Sequence, residues 1–418
     1  MNILIKQAVV VDKNSKYHLS KRDVLIEKGR ISKIAGRIAN DNKVKEIKLD
    51  NLHVSAGWVD SAACYGEPGF EDRENIQNGL DTALKSGFTD VLLCPNTNPV
   101  IDNKSAVQFV VNKASEHLVN LYPIGALSKG SEGKDLAELY DMQQSGAVAF
   151  YDYKKAVKNP NIIKLALLYA QHFNGLVCSF PQDRDLVNNG QANEGNMSTR
   201  LGLKGNPAMA ETLQIARDLF ILEYTGGKLH IPTITTAESV ELIAKAKKKG
   251  LQVTCGVTPH HLFLSDDVLS DFNTNYKVNP PLRTKKDIAA LKKGVKNGTI
   301  DIICSDHNPV DIEHKKVTFE NAMPGTIGQE SLFGAVNSLL SIEQAIPCLT
   351  DNPRKIFGLP IVKITEGENA CLTLFNPDVS YTFHENHIYS LSKNAAFIGK
   401  QLKGKVYGIF ANNKLQMN

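Results

Sequence analysis

Eight short apolar runs, most of them followed by a segment of helical period, set the narrowest limit on what this chain can fold into. The runs fall at 54–60, 89–94, 121–124, 147–151, 176–180, 228–234, 252–257 and 301–304. Amphipathic segments follow at 74–85, 105–117, 161–173, 208–224, 237–248 and 285–293. Strands apolar on both faces require a parallel sheet covered by helices, and eight such units close most simply into a (β/α)8 TIM barrel. An open doubly wound sheet is the rival, but no G-x-G-x-x-G follows the first strand. In a barrel, reactive side chains stand at the C-terminal ends of the strands, and chemistry is to be sought there.

The flanks read differently. Residues 1–53 and 361–418 hold short apolar runs broken by polar turns, such as Ile3-Leu4-Ile5 and Val406-Tyr407-Gly408-Ile409-Phe410. Two separate β units of ~55 residues would each have little core. One composite β-sandwich domain built from both termini is therefore expected, with residues 54–360 as the barrel. The net charge of +4, from 48 basic and 44 acidic residues, is too balanced to argue for nucleic acid or a membrane surface. The run Lys247–Lys249 is expected on the solvated end of a helix that Gly250 stops. Seven scattered cysteines without a C-x-x-C pair argue against a disulfide framework and a thiolate zinc site, and suit a reducing cytoplasm. No signal-peptide pattern opens the chain and no apolar run approaches ~18 residues, so a soluble cytoplasmic protein is expected.

The strand ends carry the motifs. The first is G-W-V-D-S-A-A-C-Y-G-E-P-G, Gly57 to Gly69. After the second strand comes L-C-P-N-T-N-P-V-I-D, where Asn96 offers a donor and an acceptor to a planar amide or carboxylate, although a plain Asx turn explains it too. T-P-H-H-L (258–262) and K-V-N-P-P-L-R (277–283) follow the seventh strand, and I-C-S-D-H-N-P (303–309) and M-P-G-T-I-G-Q-E (323–330) the eighth. Each is weak alone, since adjacent loop histidines are more often structural than catalytic. Their order and spacing together are specific.

On these motifs the chain resembles, over nearly its whole length, the dihydroorotases of the amidohydrolase superfamily, most closely the type associated with aspartate transcarbamoylase. The resemblance implies a site in which one or two zinc ions hold a hydroxide and polarise a ring carbonyl, while an aspartate passes a proton to the departing nitrogen. It also implies ligands that are changed here. Ala62 and Cys64 stand at the two histidine positions of the first strand, and Gly66 stands where a substrate arginine belongs. Tyr153, beside Asp152, aligns with the metal position of the fourth strand, Phe180 with the histidine of the fifth, and Thr233 with the second histidine of H-x-x-H, of which His230 is kept. Cys64 with Asp306 is one ligand short of a zinc site, so no metal ligands and no cofactor are expected, although zinc is the rule in the family. Without a metal, Asp306 must be solvated, bonded to local amides or protonated. Val310 replaces a histidine that would hold the substrate carboxylate, which leaves Asn96, Asn279 and the backbone at Gly325 as candidate substrate contacts.

The expectation is a dihydroorotase-like protein of pyrimidine biosynthesis without catalytic activity, a structural or regulatory partner of aspartate transcarbamoylase and, from the resemblance, a homodimer. The alternative is an active dihydroorotase or related cyclic-amide hydrolase with a remodelled or metal-free site. It would use Asp306 with Asp152, Cys64 or His307. His260, His261 and His307 read equally well as satisfied loop histidines.

Overall fold

The computed structural model of the chain describes residues 2–41 and 43–418. All eight expected barrel strands are present, six of them shortened and two shifted by one residue. Trp58–Ala63, Phe88–Leu93 and Asn120–Pro123 make one parallel arc. Phe150–Tyr151, Val177–Cys178, Leu229–Ile231, Val253–Val257 and Ile302–Ile303 make the other. Parallel bridges from Gly125 to Phe150 and from Ala63 to His307 join the two arcs and close the barrel.

Helices Ile76–Lys85, Lys104–Ala114, Pro160–Ala170, Ala208–Thr225, Ala237–Lys248 and Lys285–Lys296 cover it. Their starts are written in the sequence: the side chains of Asn75, Asn103, Asn159, Thr236 and Thr284 each accept a first-turn amide that would otherwise have no partner. The helix at 76–85 turns Ile76, Leu80 and Ala83 inward, a 3–4 spacing that buries one stripe.

The expected first strand, 54–60, is two strands. His53–Ala56 pairs with Val9–Val11 and with Leu372–Phe375 in the terminal sheet, and the barrel starts at Trp58. Gly57 stands between them because nothing larger fits: a Cβ there would lie 2.2 Å from Thr89 Oγ1 and 2.7 Å from Cys371 Sγ.

The termini do form one composite β unit. Its sheet is continuous and curled rather than split in two, in the order Lys414–Met417, Gln401–Ala411, Leu372–Thr382, His53–Ala56, Ile3–Val11, Lys21–Glu27 and Arg30–Ala35, with Lys45–Ile47 beside Ile3–Val11. Both ends of the chain fill its core, Ile5, Val10 and Val24 from one and Leu372, Leu374 and Phe410 from the other. Each such side chain contributes about 1.5–3 kcal/mol on full burial, so neither end holds the unit alone.

Beyond the sheet the C-terminal segment returns to the barrel, where Ile388, Ala395 and Phe397 pack against Ile327 and Ala335. The basic run is only partly solvated, since Lys247 Nζ donates to both carboxylate oxygens of Asp301 at 2.6 and 2.7 Å. All seven cysteines are free. Among the described residues no helix is long and apolar enough to cross a membrane.

Candidate active site at the barrel mouth

The first motif keeps its scaffold. Asp60 is fully buried and ties the first strand to the last: Ser305 donates its amide to Oδ1 at 3.0 Å and its hydroxyl to Oδ2 at 2.6 Å. Gln329 Nε2 donates to Asp60 Oδ2 at 3.0 Å and to Tyr65 Oη at 2.9 Å. Glu67 accepts the Ile76 amide at 3.0 Å and pairs with Lys113 at 2.7 Å, so Glu-Pro-Gly positions the first helix.

Of the positions that align with metal ligands in the resemblance, three stand in apolar core, and Thr233 is buried outside it. Ala62, Cys64 and Phe180 lie in one buried cluster with Cys94, Tyr151, Cys178 and Cys304, and Tyr153 packs against it. Burial pushes the Cys94 thiol, beside Cys64, well above its usual value. The space left between Ala62, Cys178, His230, Cys304 and Phe357 is about 10 Å3, room for roughly one water. His230 is packed rather than reactive: Nδ1 meets Thr254 Oγ1 at 2.8 Å, its ring lies edge-on to Phe357, and burial lowers it to about 3.

Asp306 is neither solvated nor held by local amides. Lys154 Nζ donates to its Oδ2 at 2.7 Å and the Tyr153 hydroxyl to Oδ1 at 3.3 Å. This replaces two of the options read from the sequence, solvation and bonding to local amides, because the fourth strand end supplies a cation. Both ion-pair partners take left-handed backbone, φ 51° at Lys154 and 49° at Asp306, which turns their side chains toward each other. Burial raises the Asp306 carboxyl above its ordinary value, while Lys154 and then Tyr153 pull it back. His260 is buried, its Nε2 has no hydrogen-bond partner and lies 3.9 Å from Asp306 Oδ2, and burial holds it far below the usual imidazole value.

Asp152, the carboxylate beside Tyr153, is used elsewhere. It accepts the amides of Leu127 and Ser128 at 3.0 and 2.9 Å and the Ser128 hydroxyl, fixing the loop after the third strand. His261 is satisfied, though in the short helix Pro259–Phe263 rather than a loop, with Nδ1 on Thr258 Oγ1 and Nε2 on Pro280 O at 3.0 Å. His307 accepts the Gly328 amide at 3.2 Å through Nδ1.

The substrate-side candidates are only partly gathered. Asn279 Oδ1 accepts from Gln182 Nε2 at 3.1 Å, and both line a cavity of about 130 Å3 with Lys277 and Pro324. Gly325 joins that edge by donating its amide to Lys277 O at 2.9 Å. Asn96 is not in this lining, and its Oδ1 is buried without a partner. At Gly66 the missing arginine has no room to return: a Cβ would lie 2.0 Å from Phe70 O. Sequence reasoning missed Asn394, which accepts the Val310 amide at 3.1 Å and donates to Asn308 O at 3.0 Å and Gly325 O at 3.2 Å. It missed Lys154 as well, although that lysine stands two residues past Asp152, where Asp306 needed a counter-charge.

Zinc does not fit these residues. Four-coordinate zinc takes imidazole, thiolate or carboxylate donors, and among the described residues no group of three or more of these is placed to hold an ion. Asp306 is already paired with an ammonium, Lys154 Nζ lying 2.7 Å from its Oδ2.

A closed parallel barrel with its mouth between strands one, four and eight, joined to a β unit from both termini, defines a protein of the amidohydrolase class. The amidohydrolase family profile matches residues 210–415. Solved structures of this fold include the L-hydantoinase (dihydropyrimidinase) from Arthrobacter aurescens, with a TM-score of 0.88 at 19% identity over 99% of this chain and 95% of that one. A D-hydantoinase has a TM-score of 0.84 at 20% identity, covering 100% of this chain and 95% of its own. The dihydro-orotase-like profile matches residues 53–239. Proteins named dihydroorotase from Ruminiclostridium cellulolyticum and Acetivibrio thermocellus are 41% and 40% identical, covering 97% and 99% of this chain and 96% and 98% of theirs. The chain belongs to the dihydroorotase family.

Proposed function

We propose that this family member has no dihydroorotate hydrolase activity of its own and serves pyrimidine biosynthesis as a structural or regulatory partner of aspartate transcarbamoylase. The observation that carries the reading is the Lys154–Asp306 ion pair, 2.7 Å long and joined by Tyr153, which packs against the apolar cluster of Ala62, Cys64 and Phe180. An ammonium cannot deliver hydroxide to a carbonyl, and a carboxylate bonded to one is a poorer acceptor for a substrate proton. The collapsed backbone at Gly66 removes the bidentate anion contact as well. The choice of partner rests on the resemblance to the transcarbamoylase-associated type.

Sedimentation of the chain mixed with the catalytic subunit of a transcarbamoylase from the same source tests it. Co-migration at a fixed ratio is expected, and a chain that sediments unchanged overturns the partnership.

One observation favours the second reading, a metal-free hydrolase. His260 Nε2, without a partner 3.9 Å from Asp306, makes a compact acid–base group with Lys154. Dihydroorotate turnover that is insensitive to zinc and abolished by Asp306→Ala would establish it.

A further inference from the structure

Where the terminal sheet meets the barrel, the C-terminal end of Ile76–Lys85, the helix Gln329–Asn337 and the strands Leu372–Thr382 and Gln401–Ala411 surround a cavity of about 380 Å3. That size lies within the roughly 300–1,000 Å3 of small-molecule sites. Its walls are aromatic: Phe333, Tyr381, His387 and Tyr389 line it, and the Tyr381 and His387 rings are 5.2 Å apart. Flat faces of this kind take a flat ring.

The polar groups around this cavity can all donate. Ser86 is buried in its lining, and its Oγ has no hydrogen-bond partner. Burial pushes the Tyr381 hydroxyl up to about 12, so it keeps its proton. Gly334 leaves that hydroxyl room, since a Cβ there would lie 2.5 Å from Oη. His387 Nδ1 accepts the His384 amide at 3.0 Å, which leaves the ring proton on Nε2. Lys85 and Lys405 add two ammonium groups, one from the helix and one from the strand, and neither forms an ion pair among the described residues. Lys85 Nζ rests 4.4 Å from the centroid of the Tyr389 ring, while Asn418 Nδ2 serves the Lys85 carbonyl at 2.7 Å. Glu330, the one carboxylate side chain of the lining, is already engaged. Its Oε1 accepts the Tyr389 and Ser390 amides and the Ser390 hydroxyl, and its Oε2 lies 3.9 Å from His307 Nδ1.

We propose that this cavity binds a phosphate monoester of a flat ring, of nucleoside monophosphate size, with the ring against Tyr381 and His387 and the phosphate between Lys85 and Lys405. Two ammonium groups match a phosphate, which carries about two charges, whereas a carboxylate would leave one lysine without a counter-charge. None of the donors belongs to the barrel mouth, so the inference is independent of whether the barrel hydrolyses dihydroorotate.

Isothermal titration calorimetry of the full chain decides it, with adenosine monophosphate as the probe and adenosine and inorganic phosphate as its two fragments. The monophosphate should bind at least about tenfold more tightly than either fragment, because linked ring and phosphate contacts reinforce each other. Lys85→Met with Lys405→Met, both at exposed positions where the fold does not depend on them, should weaken it about tenfold or more. Tyr381→Phe keeps the ring and removes the donor, and should weaken it about threefold. No binding at millimolar monophosphate overturns the inference, as does an affinity that the double substitution leaves unchanged. Equal affinity for either fragment overturns it too, since the site would then read a ring or an anion alone.

Discussion

Lys154 and Asp306 show what a buried carboxylate requires of its surroundings. A charge this deep is tolerated only with a partner, and the ammonium at 2.7 Å is that partner. Lys154→Met should therefore cost about 3–5 kcal/mol in urea unfolding, because it strands Asp306. Adding Asp306→Asn should recover most of that loss, since the unpaired charge is what costs. Gly66 gives the complementary case. Gly66→Arg restores the family letter, but its Cβ meets Phe70 O at 2.0 Å. The variant should melt below the wild type and show no calorimetric binding of dihydroorotate.

At the scale of elements, the loop and helix after the first strand carry a buried acid. Glu74 is fully buried and accepts the Leu391 amide at 3.2 Å, while its Oε1 has no partner. Burial, with Glu330 adding repulsion, pushes it up to about 8. The folded state then holds a proton that the unfolded chain gives up above about 4.5, so the stability this proton contributes is complete below 4.5 and is lost as pH rises through 8. Glu74→Gln should raise the melting temperature progressively between pH 4.5 and 8 and by a constant amount above; a pH-independent difference would sink the assignment. The eight strand–helix units were legible in the sequence because helical period and apolar runs are local. The break at Gly57 was not, since an apolar run shows burial and not which sheet a strand joins. Ala62, Cys64, Phe180 and Thr233 were legible as strand-end positions because they sit at fixed offsets from the strands, and all four are buried. Lys154 was not, because its direction depends on two left-handed backbone residues, and Asn394 was not, because it comes from a segment far away in the chain.

For the whole molecule, the buried histidines set the response to acid. Burial holds His230 and His261 at about 3, His307 at about 4, and His260 well below the ordinary value. Each lowered imidazole contributes stability that is present above about 6.5 and lost as pH falls toward its folded value. Glu74 opposes this with one proton between 4.5 and 8. The stability these imidazoles contribute falls between pH 7 and 5.5, readable as their share of a loss in urea unfolding at the two values. The same interior packs Ala62, Cys64 and Phe180 into core, and we propose that the barrel does not perform its family's reaction. Dihydroorotate hydrolysis by the purified chain, with and without added zinc, tests it most directly. The expected result is a rate indistinguishable from buffer in both; turnover in either condition that disappears in Asp306→Ala would contradict it.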